Sequence, residues 1–309
     1  MNAVAQRITV AVFAIPAILL LAYVGGYAWM GFCVLVYVLS AIELRKMAAA
    51  KGAYVNLTLT LIGGIALLEV FMNERIRNDL VAAFGGIPFP VEWQVLTWIT
   101  VLYAMAVPLW ELFYGKGSAL ANIGASFVIF LYLGLFLGAT LGIREIFSIG
   151  EFPIARIFET AAPGAQQLGT LDHWGGMTMI TILATIWICD TAAYFGGMAL
   201  GRHKLFPRVS PNKTWEGAIF GFAGAVGAFY LGKVLFLEYL TVEHALICGA
   251  IIGVFGQIGD LIESLLKRDA EVKDSSSILP GHGGFFDRFD SLIFVSPILF
   301  LYFDFIVFG

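Results

Sequence analysis

Asp260, Glu263, Ser264 and Lys267 recur at offsets of three, four and seven, which returns them to one face of a helix whose other residues are largely apolar. Arg268 and Lys273 follow. Next comes the turn Pro280-Gly281-His282-Gly283-Gly284, and then Asp287 and Asp290, again three apart. Carboxylates from two helix ends, with cations and a glycine turn between them, suit phosphoryl chemistry. Hard oxygens hold Mg2+, which takes one or two protein carboxylates together with substrate phosphates. Metal and cations neutralise charge as it develops on the transferring phosphorus. The glycines let the backbone approach a ligand closely. His282 reads as a metal ligand, a phosphate contact or a structural turn residue. A plain solvated loop would have no use for acids inside an apolar helix at Asp260 and Glu263.

Two upstream stretches carry related chemistry. In WICDTAAYFGG (187–197), Asp190 sits within an apolar run, where an unpaired acid costs about 2.5–3.5 kcal/mol on insertion scales. It reads either as an interhelical hydrogen bond that fixes packing or as an acid facing a water-filled cavity. Its small neighbours Ala192, Ala193, Gly196 and Gly197 permit close approach of a helix or a ligand. In GRHKLFPRVSPNKTWEG (201–217), Ser210 before Pro211 predicts a helix start, an N-cap oxygen followed by a residue whose missing N–H is harmless there. Free N–H groups beside Arg208 and Lys213 would suit a phosphate. Ser210, Asn212 and Lys213 are therefore candidate substrate contacts, whereas Arg202 and Lys204 read as ordinary membrane anchoring.

The elements that must position these residues are membrane spans. Of 309 residues, 60% are hydrophobic and 13% charged, and the mean hydropathy is +0.87; soluble domains run nearer 45–50% and about 25%. The solvent for much of the surface is lipid. Nine apolar runs are long enough to cross: 8–25, 27–44, 56–72, 93–113, 119–141, 175–199, 215–237, 244–265 and 290–308. Gly25-Gly26 supplies a tight turn between the first two. The expected fold is an all-α polytopic bundle of about nine spans with a cytosolic N-terminus. It divides into an N-terminal bundle (1–141), an extracytosolic loop (142–174) and a catalytic transmembrane domain (175–309).

Orientation follows from the basic residues. With the N-terminus in the cytosol, the cytosolic segments hold Arg7, Arg45, Lys46, Lys51, Lys116, Arg202, Lys204, Arg208, Lys213, Lys267, Arg268, Lys273 and Arg288, thirteen of the 18. The other side collects most loop acids. The first run lacks a small-residue cleavage site and a second span follows at once, so it reads as retained rather than as a signal peptide. Cys33, Cys189 and Cys248 lie in apolar runs and read as small buried hydrophobes. A net charge of -4 argues against a nucleic-acid binder.

Residues 264–290 resemble the signature of the CDP-diacylglycerol synthases, or phosphatidate cytidylyltransferases. Its elements stand here as Ser264, Leu266, Lys267 and Arg268; Lys273 and Asp274; Ser276, Leu279 and Pro280; and His282, Gly283, Gly284, Phe285, Asp287, Arg288 and Asp290. The segments SPNKTWEG and CDTAAYFGG look like the family's as well. The resemblance is specific over 175–309 and general over 1–141. It implies transfer of CMP from CTP to phosphatidic acid, giving CDP-diacylglycerol and pyrophosphate, with Mg2+ required and, in some members, a second cation such as K+. The family's metal-binding acids match Asp260 and Asp287; Glu263 and Asp290 would stand behind them or on a second ion. Lys267, Arg268, Lys273 and Arg288 would bind the triphosphate and the lipid phosphate, Ser264, His282, Gly283 and Gly284 would contact substrate, and Ser210, Asn212 and Lys213 would close the site. The resemblance further implies a homodimer in a bacterial inner membrane, its site facing the cytosol. A transferase acting on another lipid phosphate would look much the same. An ion-coupled transporter would use Asp190, Asp260 and Glu263 as a cation path, but the paired broken helices of transporters are not evident in the sequence.

Overall fold

The computed structural model describes residues 3–86, 88–147, 165–276, 278 and 283–309. Its helices are α1 (Ala3–Val24), α2 (Gly26–Ala50), α3 (Leu57–Val70), α4 (Asn73–Phe84), α5 (Glu92–Tyr114), α6 (Ala119–Glu145), α7 (Ala165–Leu200), α8 (Trp215–Phe236), α9 (Val242–Asp269) and α10 (Phe286–Val307). Two short strands, β1 (Lys204–Phe206) and β2 (Ser210–Thr214), form an antiparallel hairpin between α7 and α8. The expected all-α membrane bundle is what the chain forms. Its outward faces are apolar: on α5, Leu102, Met105, Leu112 and Phe113 are all exposed, as a lipid-facing helix requires.

The nine expected spans are not all counted among the described residues. Among the described residues seven helices, α2 and α5 to α10, are long and apolar enough to cross, with an eighth only if α3 and α4 make one bent span. The expected span 56–72 stops at Val70 after 14 residues, and α4 leaves it at 78°. The cause is legible in α4, where Asn73, Glu74, Arg75, Arg77 and Asp79 crowd into one short helix that hydrocarbon would not accept. In α1 the described apolar stretch is Ala11–Val24. Helix α7 begins at Ala165, so the last ten positions of the expected 142–174 loop are helical; 148–164 lie outside the described residues.

Polar contacts gather at two opposite ends of the bundle. At one end Arg75 pairs with Glu145 (2.7 Å), Tyr27 donates to Asp79 (2.6 Å), and the fully buried Arg144 donates to the carbonyls of Ala22 and Tyr23 and pairs with Asp172 (2.6 Å). Arg144 thus ties off the exposed carbonyls at the C-terminus of α1. Gly25 turns the chain there at φ +68°, and a Cβ on it would lie 2.5 Å from the Arg144 guanidinium. At the other end Lys51 pairs with Glu271 (3.2 Å) and the Tyr54 N–H donates to Asn122 (2.6 Å).

Helices α7 and α8 approach closely because their facing residues are small. A Cβ on Gly217 would lie 2.8 Å from the Ala193 carbonyl oxygen, and one on Gly221 would lie 2.9 Å from the Ala193 Cβ. Gly221→Leu should therefore destabilise the bundle by about 1–3 kcal/mol, read as a lower unfolding temperature in detergent. Gly227→Leu, on the same helix but facing open space, should leave that temperature unchanged or raise it.

Candidate active site

At the end of the bundle marked by Lys51 and Tyr54, α7, β2, α8, α9 and α10 enclose a cavity of about 640 Å3. Helix α7 supplies Asp190, Tyr194 and Met198. The hairpin supplies Asn212, Lys213 and Thr214. Helix α9 supplies Gln257, Asp260, Glu263, Ser264 and Lys267, and α10 supplies Asp287, Arg288, Asp290 and Ser291, with Asp274 from the segment between them. The single helix face read from residues 260–267 is the wall of this cavity.

A π-helical stretch, Ile252–Gly256, precedes that face and alters the register of α9 just where the polar residues begin. The Gln257 amide follows it, donating to the carbonyls of Gly253 (2.6 Å) and Ala218 (3.1 Å). It thereby ties α9 to α8 beneath the acids.

Asp260, Glu263 and Asp290 each offer an oxygen, all within 4.8 Å of one another. Lys213 Nζ lies 2.6 Å from Asp260, and Lys267 Nζ lies 2.5 Å from Glu263 and 3.2 Å from Asp287. Ser264 donates to Asp260 at 3.4 Å. Asp287 also accepts from the backbone N–H groups of Gly284 (2.8 Å) and Ser275 (3.1 Å). The cavity wall carries six acids, Asp190, Asp260, Glu263, Asp274, Asp287 and Asp290, against three cations, Lys213, Lys267 and Arg288. Such a wall repels a bare polyphosphate and attracts a divalent cation.

Of the residues read from sequence, Asp190, Asn212, Lys213, Asp260, Glu263, Ser264, Lys267, Asp287, Arg288 and Asp290 meet here. Asp190 faces the cavity rather than serving as a buried packing bond. Others stand back from the wall. Ser210 pairs with Phe206 in the hairpin. Arg268 donates to the Val209 carbonyl at 3.4 Å, tethering α9 to the hairpin. Lys273 is exposed. Gly283 sits at φ +79°, a backbone conformation that favours glycine, and His282 lies outside the described residues.

The helix start expected at Ser210-Pro211 is corrected by the structure. Residues 210–214 are extended, and α8 begins one step later, capped by Thr214, whose side chain accepts from the Gly217 N–H at 3.2 Å. Pro211 is tolerated because each strand of a two-stranded hairpin has an open edge that needs no donor.

Sequence reasoning missed Glu43 on α2. It is fully buried and accepts from Ser275 Oγ (2.8 Å), Ser276 Oγ (2.5 Å), Phe285 N (3.0 Å) and Phe286 N (2.9 Å). The one available signal was an acid in an apolar run, and its neighbours Arg45 and Lys46 disguised it as membrane-surface charge.

The two lysines differ in burial, and this gives a test. The Lys267 side chain is 13% exposed, between Glu263 and Asp287 at 3% each, whereas Lys213 and Asp260 are 26% and 35% exposed. Lys267→Met leaves two buried acids without their shared cation and should destabilise the protein by about 3 kcal/mol or more. Lys213→Met should change unfolding much less. Equal losses in denaturation would contradict this ordering.

Comparison with known proteins bears on what the cavity serves. A family model described as "Cytidylyltransferase family" matches residues 5–306. The phosphatidate cytidylyltransferase of Bacillus subtilis is 32% identical over 278 residues, 86% of this chain and 95% of its own length. That of Synechocystis is 31% identical over 312 residues, covering 96% of this chain and 95% of the relative. The Brucella suis protein of the same name is 42% identical over 279 residues, or 85% and 94% of the two chains. From near its first residue to near its last, the chain belongs to the cytidylyltransferase family.

Proposed function

We propose that the protein transfers CMP from CTP to phosphatidic acid, making CDP-diacylglycerol and pyrophosphate for phospholipid synthesis. A phosphate oxygen of phosphatidic acid forms a bond to the α-phosphorus of CTP, and the bond from that phosphorus to the bridging oxygen breaks, releasing pyrophosphate. The observation that carries this reading is the acid-rich cavity at the end of four membrane helices, in a chain similar along most of its length to proteins named phosphatidate cytidylyltransferase.

Asp260, Glu263 and Asp290 are close enough to share one ion, and their hard oxygens suit Mg2+. Asp287, joined to Glu263 through Lys267, completes the acid set. A second cation such as K+ would draw on the same acids. When bound, the metal neutralises phosphate charge and orients the triphosphate. The remaining work belongs to the chain's own cations. Lys213, Lys267 and Arg288 line the cavity and can bind the triphosphate and the lipid phosphate. Asn212 and Ser264 offer further donors. The lipid phosphate is itself the nucleophile, so no activated serine or cysteine is needed. Tyr194 and Met198 line the cavity and are largely exposed, which offers an apolar approach for acyl chains along the outer face of α7.

The proposal includes a bacterial plasma-membrane location with the cavity facing the cytosol, a catalytic region over 175–309 and assembly as a homodimer. Orientation is testable because the three native cysteines are buried. In intact cells an impermeant thiol reagent should label Asp172→Cys and leave Lys204→Cys unlabelled until the membrane is opened. The reverse pattern would invert the topology.

The activity is tested with labelled CTP and a panel of lipid phosphates, including isoprenoid-ether phosphates. The purified protein should label phosphatidic acid in a Mg2+-dependent manner. Asp287→Asn should stay folded and lose on the order of 10^3-fold in turnover, given that charge stabilisation of this kind supplies several kcal/mol. CMP transfer to another lipid phosphate but not to phosphatidic acid would overturn the assignment of the acceptor.

A further inference from the structure

Glu43 comes from the second helix, far in sequence from the cavity residues, and is not among those lining the cavity. Its four donors bracket residues 277–284, in the segment that leads from α9 into α10: Ser275 and Ser276 on one side, Phe285 and Phe286, where α10 begins, on the other. One carboxylate therefore draws both ends of the segment together. Asp287 repeats the pattern, accepting from Ser275 N and Gly284 N. Ser275 thus gives its hydroxyl to Glu43 and its N–H to Asp287, and the successive N–H groups of Gly284 and Phe285 divide in the same way.

We propose that Glu43 is a positioning residue for the cytidylyltransferase site: a buried clasp on α2 that closes the base of the 275–286 segment and thereby fixes Asp287. The idea rests on the reading of Asp287 as part of the metal and phosphate machinery. It also accounts for the second glycine of the His-Gly-Gly run. A Cβ on Gly284 would collide first with Ser275 Oγ and then with the two Glu43 oxygens, at 2.5 and 2.6 Å, so the glycine is there because the hydroxyl and the carboxylate of this contact together occupy that space. Gly283 answers to a separate demand, its φ of +79°.

Each Glu43 oxygen accepts from one serine hydroxyl and one backbone N–H. A serine can rotate to suit an amide, but a backbone N–H cannot. Glu43→Gln therefore sets an NH2 group against one N–H and breaks the clasp with little change in volume. The test compares wild type, Glu43→Gln, Ser276→Ala, which removes a single donor should the first variant fold poorly, and Glu69→Gln, the same exchange on α3 away from the site. Amide hydrogen exchange is followed in Mg2+-free protein, and turnover is measured against Mg2+ concentration.

Exchange at Ser275, Gly284, Phe285 and Phe286 should accelerate in Glu43→Gln, and to a smaller degree in Ser276→Ala, with the cores of α7 and α8 unchanged. Half-saturating Mg2+ should rise, or kcat fall, by roughly 10- to 100-fold, the usual effect of removing a group that orients a ligand, while Glu69→Gln behaves as wild type. Wild-type exchange and Mg2+ dependence in Glu43→Gln would overturn the proposal, as would acceleration spread evenly over the whole bundle. Opening of the segment in a protein that transfers no CMP would leave the clasp standing and refute the assigned activity instead.

Discussion

The structure depends on one electrostatic constraint. Six acids and three cations share a cavity sunk into the end of a bundle whose flanks are apolar. Like charges at this spacing repel strongly where water is scarce, so each acid must be answered by a cation or a hydrogen-bond donor. Lys213 answers Asp260, Lys267 answers both Glu263 and Asp287, and backbone N–H groups of the 275–286 segment answer Asp287 again. These pairings are local, and the excess of acid remains. Under the proposed function, that excess suits a metal ion together with a polyphosphate rather than a polyphosphate alone.

The fold supplies the geometry that this balance needs. Small residues let α7 and α8 come close enough to put Asp190 opposite α9 and α10. The π-helical stretch in α9 and the Gln257 amide set the register from which Asp260, Glu263, Ser264 and Lys267 share a face. The hairpin brings Lys213 across the mouth, and Arg268 holds the hairpin to α9. At the far end, buried Arg144 ties α1 to α6 and α7. Glu43 shows that the N-terminal half is more than a membrane anchor, since one of its carboxylates holds the segment leading into α10.

Much of this could be read from the residues. The apolar runs and the scarcity of charge gave the membrane bundle. The three- and four-residue spacings put the acids of α9 on one wall, and Asp290 joined them from the next helix. What the sequence concealed was non-local. Glu43 meets partners more than 230 residues away, and no periodicity reveals such a contact. The hairpin at 204–214 is too short to show an alternating pattern, and Ser210-Pro211 offered a persuasive helix start while Thr214 made the real one. The bend after α3 is equally hidden, because the apolar run continues through Phe71 and Met72 before α4 turns away at 78°. The contact of Arg268 with the Val209 carbonyl of the hairpin is likewise non-local, and no spacing along the helix announces it.

The central claim is that the acid excess makes nucleotide binding depend on a divalent cation. CTP binding to purified protein, titrated at constant ionic strength with and without free Mg2+, tests it most directly. The account predicts no measurable CTP binding in the presence of a chelator and affinity that rises with Mg2+ until the acid cluster is saturated. CTP binding of equal strength with and without Mg2+ would contradict it.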